Sequence, residues 1–198
     1  MVSNLNNLRD NLGYIKDHVA DVDKPVSSVR YFTKSDKRDE IDHTLKLELK
    51  NLKGSLYFAY GSNLDTTQMY GRCPSSQFIM RAVSEGFELI FPLFSRKWDG
   101  GVAGIRQNEV ERVWGILYYM TSEDWLKMDR CEGTSSGHYN RGKISVTTIL
   151  GTFEVETYFP GNIIESHHPG SKYIKQIING AELFKLDQAY IQMLNRWL

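Results

Sequence analysis

The chain has 198 residues, which is enough for one domain with an extension. Its 24 Lys and Arg residues balance 24 Asp and Glu residues, so no bulk positive charge favours nucleic acid or an anionic membrane as a partner. No stretch approaches the ~20 apolar residues of a membrane span, and residues 1–10 lack the apolar core of a secretion signal. Cys73 and Cys131 are too few for a disulfide framework, which favours a reducing, cytoplasmic location.

Residues 1–53 differ in character from the rest and are interpreted as a polar N-terminal extension of uncertain structure. Apolar residues near helical spacing predict a short amphipathic helix over residues 4–20. A linker with Pro25 follows, and the dense charges of residues 33–42 are typical of a solvated segment. The extension indicates no chemistry of its own; it could cover a site, mediate association or set the oligomeric state.

Residues 54–198 have the pattern of one compact domain, with strands early and helices concentrated late, which predicts an α+β fold. Thr121, with Asp124 three residues later, predicts a capped start for one helix. Composition does not say whether the sheet closes. The predicted strands are residues 55–59, 78–84, 87–91, 102–107, 113–119, 139–150 and 153–159. The predicted helices are residues 65–72, 121–131, 172–179 and 187–197, with an interruption at 180–181.

The stretch 56–64, Leu-Tyr-Phe-Ala-Tyr-Gly-Ser-Asn-Leu, organises the domain. An apolar, aromatic run that breaks into Gly-Ser-Asn predicts a short buried strand that leads into a tight loop. Gly61 allows a ligand to approach the main chain closely, and Ser62 and Asn63 add a hydroxyl, an amide and backbone N–H groups. Such a loop can hold a carboxylate or a phosphate. The alternative is an ordinary strand-to-turn transition.

Residues 56–64 resemble the signature loop of the γ-glutamylcyclotransferase family, which is Tyr-Gly-Ser-Asn-Leu after a hydrophobic strand. The resemblance covers roughly residues 54–194, in order and at family-like spacing, and leaves the N-terminal extension unexplained. It includes a Trp-x-Gly-Gly segment, a central Val-x-Gly strand, the segment around Glu132 and a closing helix. These matching segments are residues 98–103, 113–115, 128–133, 137–139 and 173–181.

The resemblance implies a small mixed β-barrel with helices packed outside it and a central pocket. It also implies an enzyme that needs no cofactor and no metal. The α-amine of a γ-glutamyl substrate attacks its own γ-amide carbonyl, and 5-oxoproline and an amino acid are released. The family position of Glu132 makes it the general acid/base. A carboxylate can serve both steps if its pKa lies near the working pH, so Glu132 is expected in an enclosed, aromatic-lined pocket.

The resemblance also implies the residues that bind the glutamyl group. The signature loop is expected to hold the glutamyl head, and three tyrosines to bind the substrate or Glu132 and exclude water. The alternative is that the tyrosines belong to the core with satisfied hydroxyls. The implied substrate-binding residues are Tyr60, Gly61, Ser62, Asn63, Leu64, Tyr139, Tyr158 and Tyr173.

Other interpretations remain open. Cys131 and His138 could form a thiol nucleophile and base, although neighbours in sequence are poor evidence for such a pair. His167 and His168 lack further ligand spacing for a metal site, and no nucleotide-binding motif is present. The enzyme could instead act on γ-glutamylamines, or the domain could be a binding module without catalysis. The expected partner is a small-molecule γ-glutamyl substrate, and a homodimer is a further possibility.

Overall fold

The computed structural model describes residues 46–47, 56–163 and 165–198. Residues 56–163 and 165–198 belong to one compact unit, Lys53–Leu198. The helix predicted over residues 4–20 and the linker and charge run after it lie outside the described residues. The domain boundary predicted between residues 53 and 54 stays a prediction.

Five strands close into a barrel in the order β1-β3-β2-β4-β5. Neighbouring strands are antiparallel, except that β1 and β5 run parallel where Tyr57 faces Glu156. The mixed barrel that the family resemblance implies is therefore confirmed. The strands are β1 (Leu56–Ala59), β2 (Gln77–Ser95), β3 (Gly100–Tyr119), β4 (Tyr139–Thr148) and β5 (Gly151–Pro160).

In the described part of Lys53–Leu198, four α-helices pack with the barrel, and their ends follow capping chemistry. The Asp65 side chain accepts a hydrogen bond from the Gln68 N–H at 2.6 Å and begins the first helix. Thr121 and Asp124 form the predicted capping box at the second. Among the described residues, no helix is long and apolar enough to cross a membrane. The helices are α1 (Thr66–Arg72), α2 (Ser122–Glu132), α3 (Ser171–Leu183) and α4 (Gln188–Asn195).

Two strands are longer than the sequence predicts. Residues 78–84 and 87–91 join in β2, because Gly86 at φ 78° lies in an irregularity of the ladder that leaves both flanks paired with β3. Residues 102–107 and 113–119 join in β3, where residues 108–111 lie opposite the same irregularity, between the pairs of Gln107 with Phe87 and of Arg112 with Glu85. The predicted breaks are thus one irregularity of a continuous ladder and not the ends of strands.

The interruption predicted in the helix at residues 180–181 is wrong, because α3 continues to Leu183. A Cβ built on Gly180 would lie 2.6 Å from Leu64 Cβ. The glycine therefore marks the close approach of α3 to the loop after β1 rather than a helix end.

Strand β1 is buried along its whole length. β3 passes so close to it that a Cβ on Gly115 would lie 2.3 Å from the Ala59 carbonyl oxygen. Phe58 and Tyr118 are among the largest side chains that are fully enclosed. This packing places the end of β1, and the loop after it, on a rigid support.

Candidate active site

The loop after β1 is held tightly at the mouth of the barrel. Residues Ser62–Leu64 form a 3₁₀ turn, closed by hydrogen bonds from the Leu64 N–H to the Gly61 carbonyl at 3.0 Å and from the Asp65 N–H to the Ser62 carbonyl at 3.1 Å. The Asn63 and Leu64 side chains are buried. A side chain at position 61 would begin 3.2 Å from Ala103 Cβ and 3.5 Å from Tyr173 Oη, which explains the glycine.

Glu132 faces this loop from α2. It is the last residue of the helix, one position beyond the predicted end at residue 131, because Gly133 at φ 65° caps the helix. The Glu132 side chain is 15% exposed. Its Oε1 accepts hydrogen bonds from Asn63 Nδ2 at 3.3 Å and from Arg72 Nη1 at 3.1 Å. The loop and the carboxylate are therefore brought into direct contact.

Burial raises the pKa of Glu132 above its ordinary value, and the positive charge of Arg72 and the hydrogen bonds from Asn63 and Arg72 oppose this rise. The net shift is upward, because loss of hydration is the largest of these effects. A carboxyl group with a raised pKa is a stronger base when ionised and remains a usable acid when protonated.

The Asn63 amide has one orientation. Its Oδ1 accepts hydrogen bonds from Gln68 Nε2 at 3.1 Å and Arg72 Nη1 at 2.8 Å, and neither donor group can accept one in return. Its Nδ2 donates to Tyr57 Oη at 2.9 Å and to Glu132. Turning the amide over would place N–H groups against N–H groups, so Asn63 presents its donor side to Glu132.

Two glutamine side chains hold the loop through hydrogen bonds to Ser62. Gln68 Nε2 on α1 donates to Ser62 Oγ at 2.7 Å. Gln176 Nε2 on α3 donates to the Ser62 carbonyl at 3.2 Å and to Gln68 Oε1 at 3.1 Å. Helices that are distant in sequence thus meet at Ser62 and fix the loop.

Tyr139 and Tyr173 meet at one residue of β3. The Tyr139 hydroxyl donates to the Ala103 carbonyl at 2.7 Å, and the Tyr173 hydroxyl oxygen accepts from the Ala103 N–H at 2.9 Å. Burial raises the pKa of Tyr173 to about 12, against the lowering effect of hydrogen bonds from Ala103 and Ser62. Tyr173 therefore keeps its proton at neutral pH. Because its oxygen is the acceptor toward Ala103, that proton is available to a substrate.

Tyr60 and Tyr158 form a second pair. The Tyr60 hydroxyl donates to the Tyr158 carbonyl at 2.6 Å, and the Tyr158 hydroxyl donates to Asp129 Oδ1 at 2.7 Å. The Tyr158 hydroxyl thus serves Asp129 and not Glu132 in this structure. Its ring centroid lies 5.8 Å from that of Tyr57, in an edge contact that helps to enclose the site. Binding of a substrate by Tyr158 stays a prediction.

Sequence reasoning missed several polar groups of the site. Gln68 and Arg72 are four residues apart on the helix that directly follows the signature loop, so they share a helix face. That spacing is the one signal that could have identified them. The contributions of Tyr57 and Gln176 depend on tertiary packing and leave no local pattern.

Of the remaining candidates, Cys131 and His138 are not paired with each other. Cys131 is exposed, and His138 Nδ1 lies 2.9 Å from Ser136 Oγ; in the part of the chain that the structure describes, no hydrogen bond joins Cys131 to His138. Trp98, the first residue of the Trp-x-Gly-Gly segment, does contact the site, because it packs edge-on against Tyr173 with ring centroids 5.2 Å apart. The described residues contain no group of three or more His, Cys, Asp or Glu side chains that could hold a metal ion.

Comparisons with known proteins identify the family of the chain. Residues 112–194 match the AIG2-like family. Gamma-glutamylcyclotransferase of Mus musculus is 38% identical over 144 residues, which are 70% of this chain and 76% of the relative. The Homo sapiens gamma-glutamylcyclotransferase is 35% identical over 144 residues, with 70% and 76% covered. A solved structure of gamma-glutamyl cyclotransferase superimposes with a TM-score of 0.67 at 34% identity, covering 71% of this chain and 85% of the other. The chain belongs to the γ-glutamylcyclotransferase family.

Proposed function

We propose that the protein is a γ-glutamylcyclotransferase that acts on a small γ-glutamyl compound. The α-amine nitrogen forms a bond to the γ-carbonyl carbon, and the bond from that carbon to the leaving nitrogen breaks. The proton lost by the amine is matched by the proton gained by the leaving group, so the reaction consumes no water. The observation that carries the proposal is the enclosed Glu132 carboxylate, hydrogen-bonded to Asn63 of the signature loop.

Glu132 is assigned the role of general acid/base. A free α-amine has a pKa near ~8, so it is mostly protonated and not nucleophilic at neutral pH. An ionised Glu132 can take a proton from the amine as it attacks, and the protonated carboxyl can then return it to the leaving nitrogen. Burial raises the pKa of Glu132, which suits a group that must work in both directions.

The signature loop and the tyrosines are assigned to substrate binding. Tyr60, Gly61, Ser62, Asn63 and Leu64 hold the glutamyl head, and the backbone N–H groups at the start of the 3₁₀ turn favour its α-carboxylate.

The tyrosines complete the binding assignment. Tyr173 supplies a hydroxyl proton, and the rings of Tyr139 and Tyr158 enclose the reacting atoms. Holding the glutamyl chain in a ring-closing pose can supply ~7–11 kcal/mol of the barrier reduction. A cytoplasmic location and a homodimer stay predictions.

The test is mass-spectrometric detection of 5-oxoproline after incubation with a panel of γ-glutamyl amino acids and γ-glutamylamines. The wild type is expected to form product, and Glu132→Gln to lower the rate by about 10²–10⁴-fold. Glu109→Gln, which changes an exposed glutamate of β3, is the matched control and is expected to retain full rate.

Each outcome tests a different part of the proposal: the role of Glu132, the activity itself or the class of substrate. Equal rates in the wild type and Glu132→Gln would refute the role of Glu132 while keeping the reaction. No product from a folded wild type with any substrate of the panel would refute the activity and favour a binding module. Product from the amines alone would assign the protein to γ-glutamylamines.

A further inference from the structure

The two oxygens of the Glu132 carboxylate are in unequal environments. Oε1 accepts the hydrogen bonds from Asn63 Nδ2 and Arg72 Nη1. Oε2 accepts no hydrogen bond from the residues that the structure describes. The carboxylate therefore has one oxygen that is held and one that is free for the substrate.

Arg72 is the centre of this asymmetry. It is the last residue of α1, and its side chain is 22% exposed. The same Nη1 lies 2.8 Å from Asn63 Oδ1 and 3.1 Å from Glu132 Oε1. One guanidinium thus fixes the orientation of the Asn63 amide and the position of the Glu132 carboxylate together.

From these contacts we infer that Arg72 is a positioning residue, which holds Oε1 of Glu132 so that Oε2 takes the proton from the substrate amine and returns it to the leaving nitrogen. This inference rests on the proposed function. A proton on Oε1 would point at the N–H groups of Arg72 and Asn63, none of which can accept it. A proton on Oε2 leaves both of these hydrogen bonds intact, so the proton has one favourable place on the carboxylate.

Among the described residues, Arg72 is also the charged group that faces Glu132. The other titratable groups that the described residues place near Glu132 are tyrosines whose pKa values are raised by burial, so they are neutral near pH 7. Asp129, one turn earlier on α2, is engaged by the Tyr158 hydroxyl and lies 3.7 Å from Arg141 Nη2. The tyrosines are Tyr57 on β1, Tyr60 after it, Tyr139 on β4 and Tyr173 on α3.

The sign of the expected pH effect follows from this arrangement. Removing the positive charge of Arg72 raises the pKa of Glu132 further, because the charge stabilises the ionised form. The ionised form is the base, and it is lost as the pH falls through that pKa. The acid limb of kcat/KM is therefore expected to move to higher pH when the charge is removed.

The experiment compares Arg72→Met, Arg72→Lys and the wild type in the pH dependence of 5-oxoproline formation. Arg72→Met is expected to lower kcat at least ~10-fold, because the carboxylate is no longer held, and to shift the acid limb upward. Arg72→Lys keeps a positive charge without the planar guanidinium, so it is expected to restore the position of the limb and only part of kcat. Arg112→Gln, an exposed arginine, is the control and should change neither.

A second measurement does not depend on activity. The ¹³C chemical shift of the Glu132 carboxyl carbon, followed against pH, reports its pKa directly in the wild type and in each variant. An unchanged acid limb and an unchanged Glu132 titration in folded Arg72→Met would overturn the inference. If Arg72→Met does not fold, an unchanged kcat in Arg72→Lys would do so. A wild type that forms no 5-oxoproline, but whose Glu132 titration shifts in Arg72→Met, would refute the proposed function and retain the electrostatic coupling.

Discussion

The signature loop and the middle of the long β2–β3 pair are stabilised in different ways. Around the signature loop, partly buried amide, hydroxyl and charged groups from α1, α2 and α3 meet in defined hydrogen bonds. In the middle of the β2–β3 pair, Glu85 pairs with Arg112 and Phe87 pairs with Gln107, so four residues of β3 lie opposite Gly86, and Val110 among them is 86% exposed. The ion pair of Arg112 with Glu85 at 3.4 Å joins side chains that are more than half exposed.

This difference indicates where polar groups are costly to change. At the irregularity in the middle of the β2–β3 pair, water can replace any partner that is removed, and an exposed ion pair contributes little. Near the site, each buried polar atom depends on a particular partner, and removing one leaves the others unsatisfied. The same type of substitution should therefore have very different effects in the two regions.

The largest effect is expected from Asn63→Ala. The change removes the acceptor of Arg72 and Gln68 and the donor to Tyr57 and Glu132, all inside a buried network. The free energy of unfolding is expected to fall by about 2–3 kcal/mol, and 5-oxoproline formation by at least ~10-fold. Urea denaturation and the product assay measure the two quantities.

The matched control for Asn63→Ala is Asn162→Ala, which changes an exposed asparagine and should leave both quantities near wild type. A loss of less than about 0.5 kcal/mol in Asn63→Ala would show that the network adds little to stability.

Two glycine substitutions sharpen the comparison, because they are expected to change the free energy of unfolding in opposite directions. Gly180→Ala adds a Cβ that would lie 2.6 Å from Leu64 Cβ, so α3 must shift away from the loop, and a destabilisation of about 1–3 kcal/mol is expected. Gly71→Ala on α1 meets no atom within 4 Å and is expected to stabilise by about 0.5–1 kcal/mol. Thermal unfolding measures both, and a stabilised Gly180→Ala would contradict the tight contact.

The smallest effect is expected at the irregularity in the middle of the β2–β3 pair. Arg112→Gln removes one partner of the exposed pair with Glu85, and the free energy of unfolding is expected to change by less than about 0.5 kcal/mol. The rate of 5-oxoproline formation should stay at the wild-type value. A large loss of either quantity would mean that this part of the hairpin supports the site, against the contrast between the two regions.

Much of the fold follows from local sequence. The apolar run before Gly61 predicts β1 and its loop, and Thr121 with Asp124 predicts the start of α2. Two of the errors arise where a glycine has a tertiary purpose. Gly86 permits a bulge in a continuous ladder, and Gly180 permits contact with Leu64, so neither ends an element.

The site is predicted less completely. Glu132, the signature loop and Tyr173 follow from the family resemblance, and the structure brings them together. Arg72 is not predicted, because its importance depends on the approach of α1 to α2, which no short segment encodes. The hydrogen bond from the Tyr158 hydroxyl to Asp129 also depends on tertiary packing. Sequence can predict that a tyrosine borders the site, but not which group its hydroxyl binds.

The parallel contact of β1 with β5 has a consequence for folding kinetics. The barrel closes where Tyr57 meets Glu156, so its first strand cannot complete its pairing until most of the chain is available. The signature loop completes its hydrogen bonds later still, because Gln176 of α3 donates one to the Ser62 carbonyl. Such non-local contacts slow folding, because a long loop must close before the contacts compensate for its entropy. The candidate site is therefore assembled late, and a growing chain carries its signature loop well before these contacts can form.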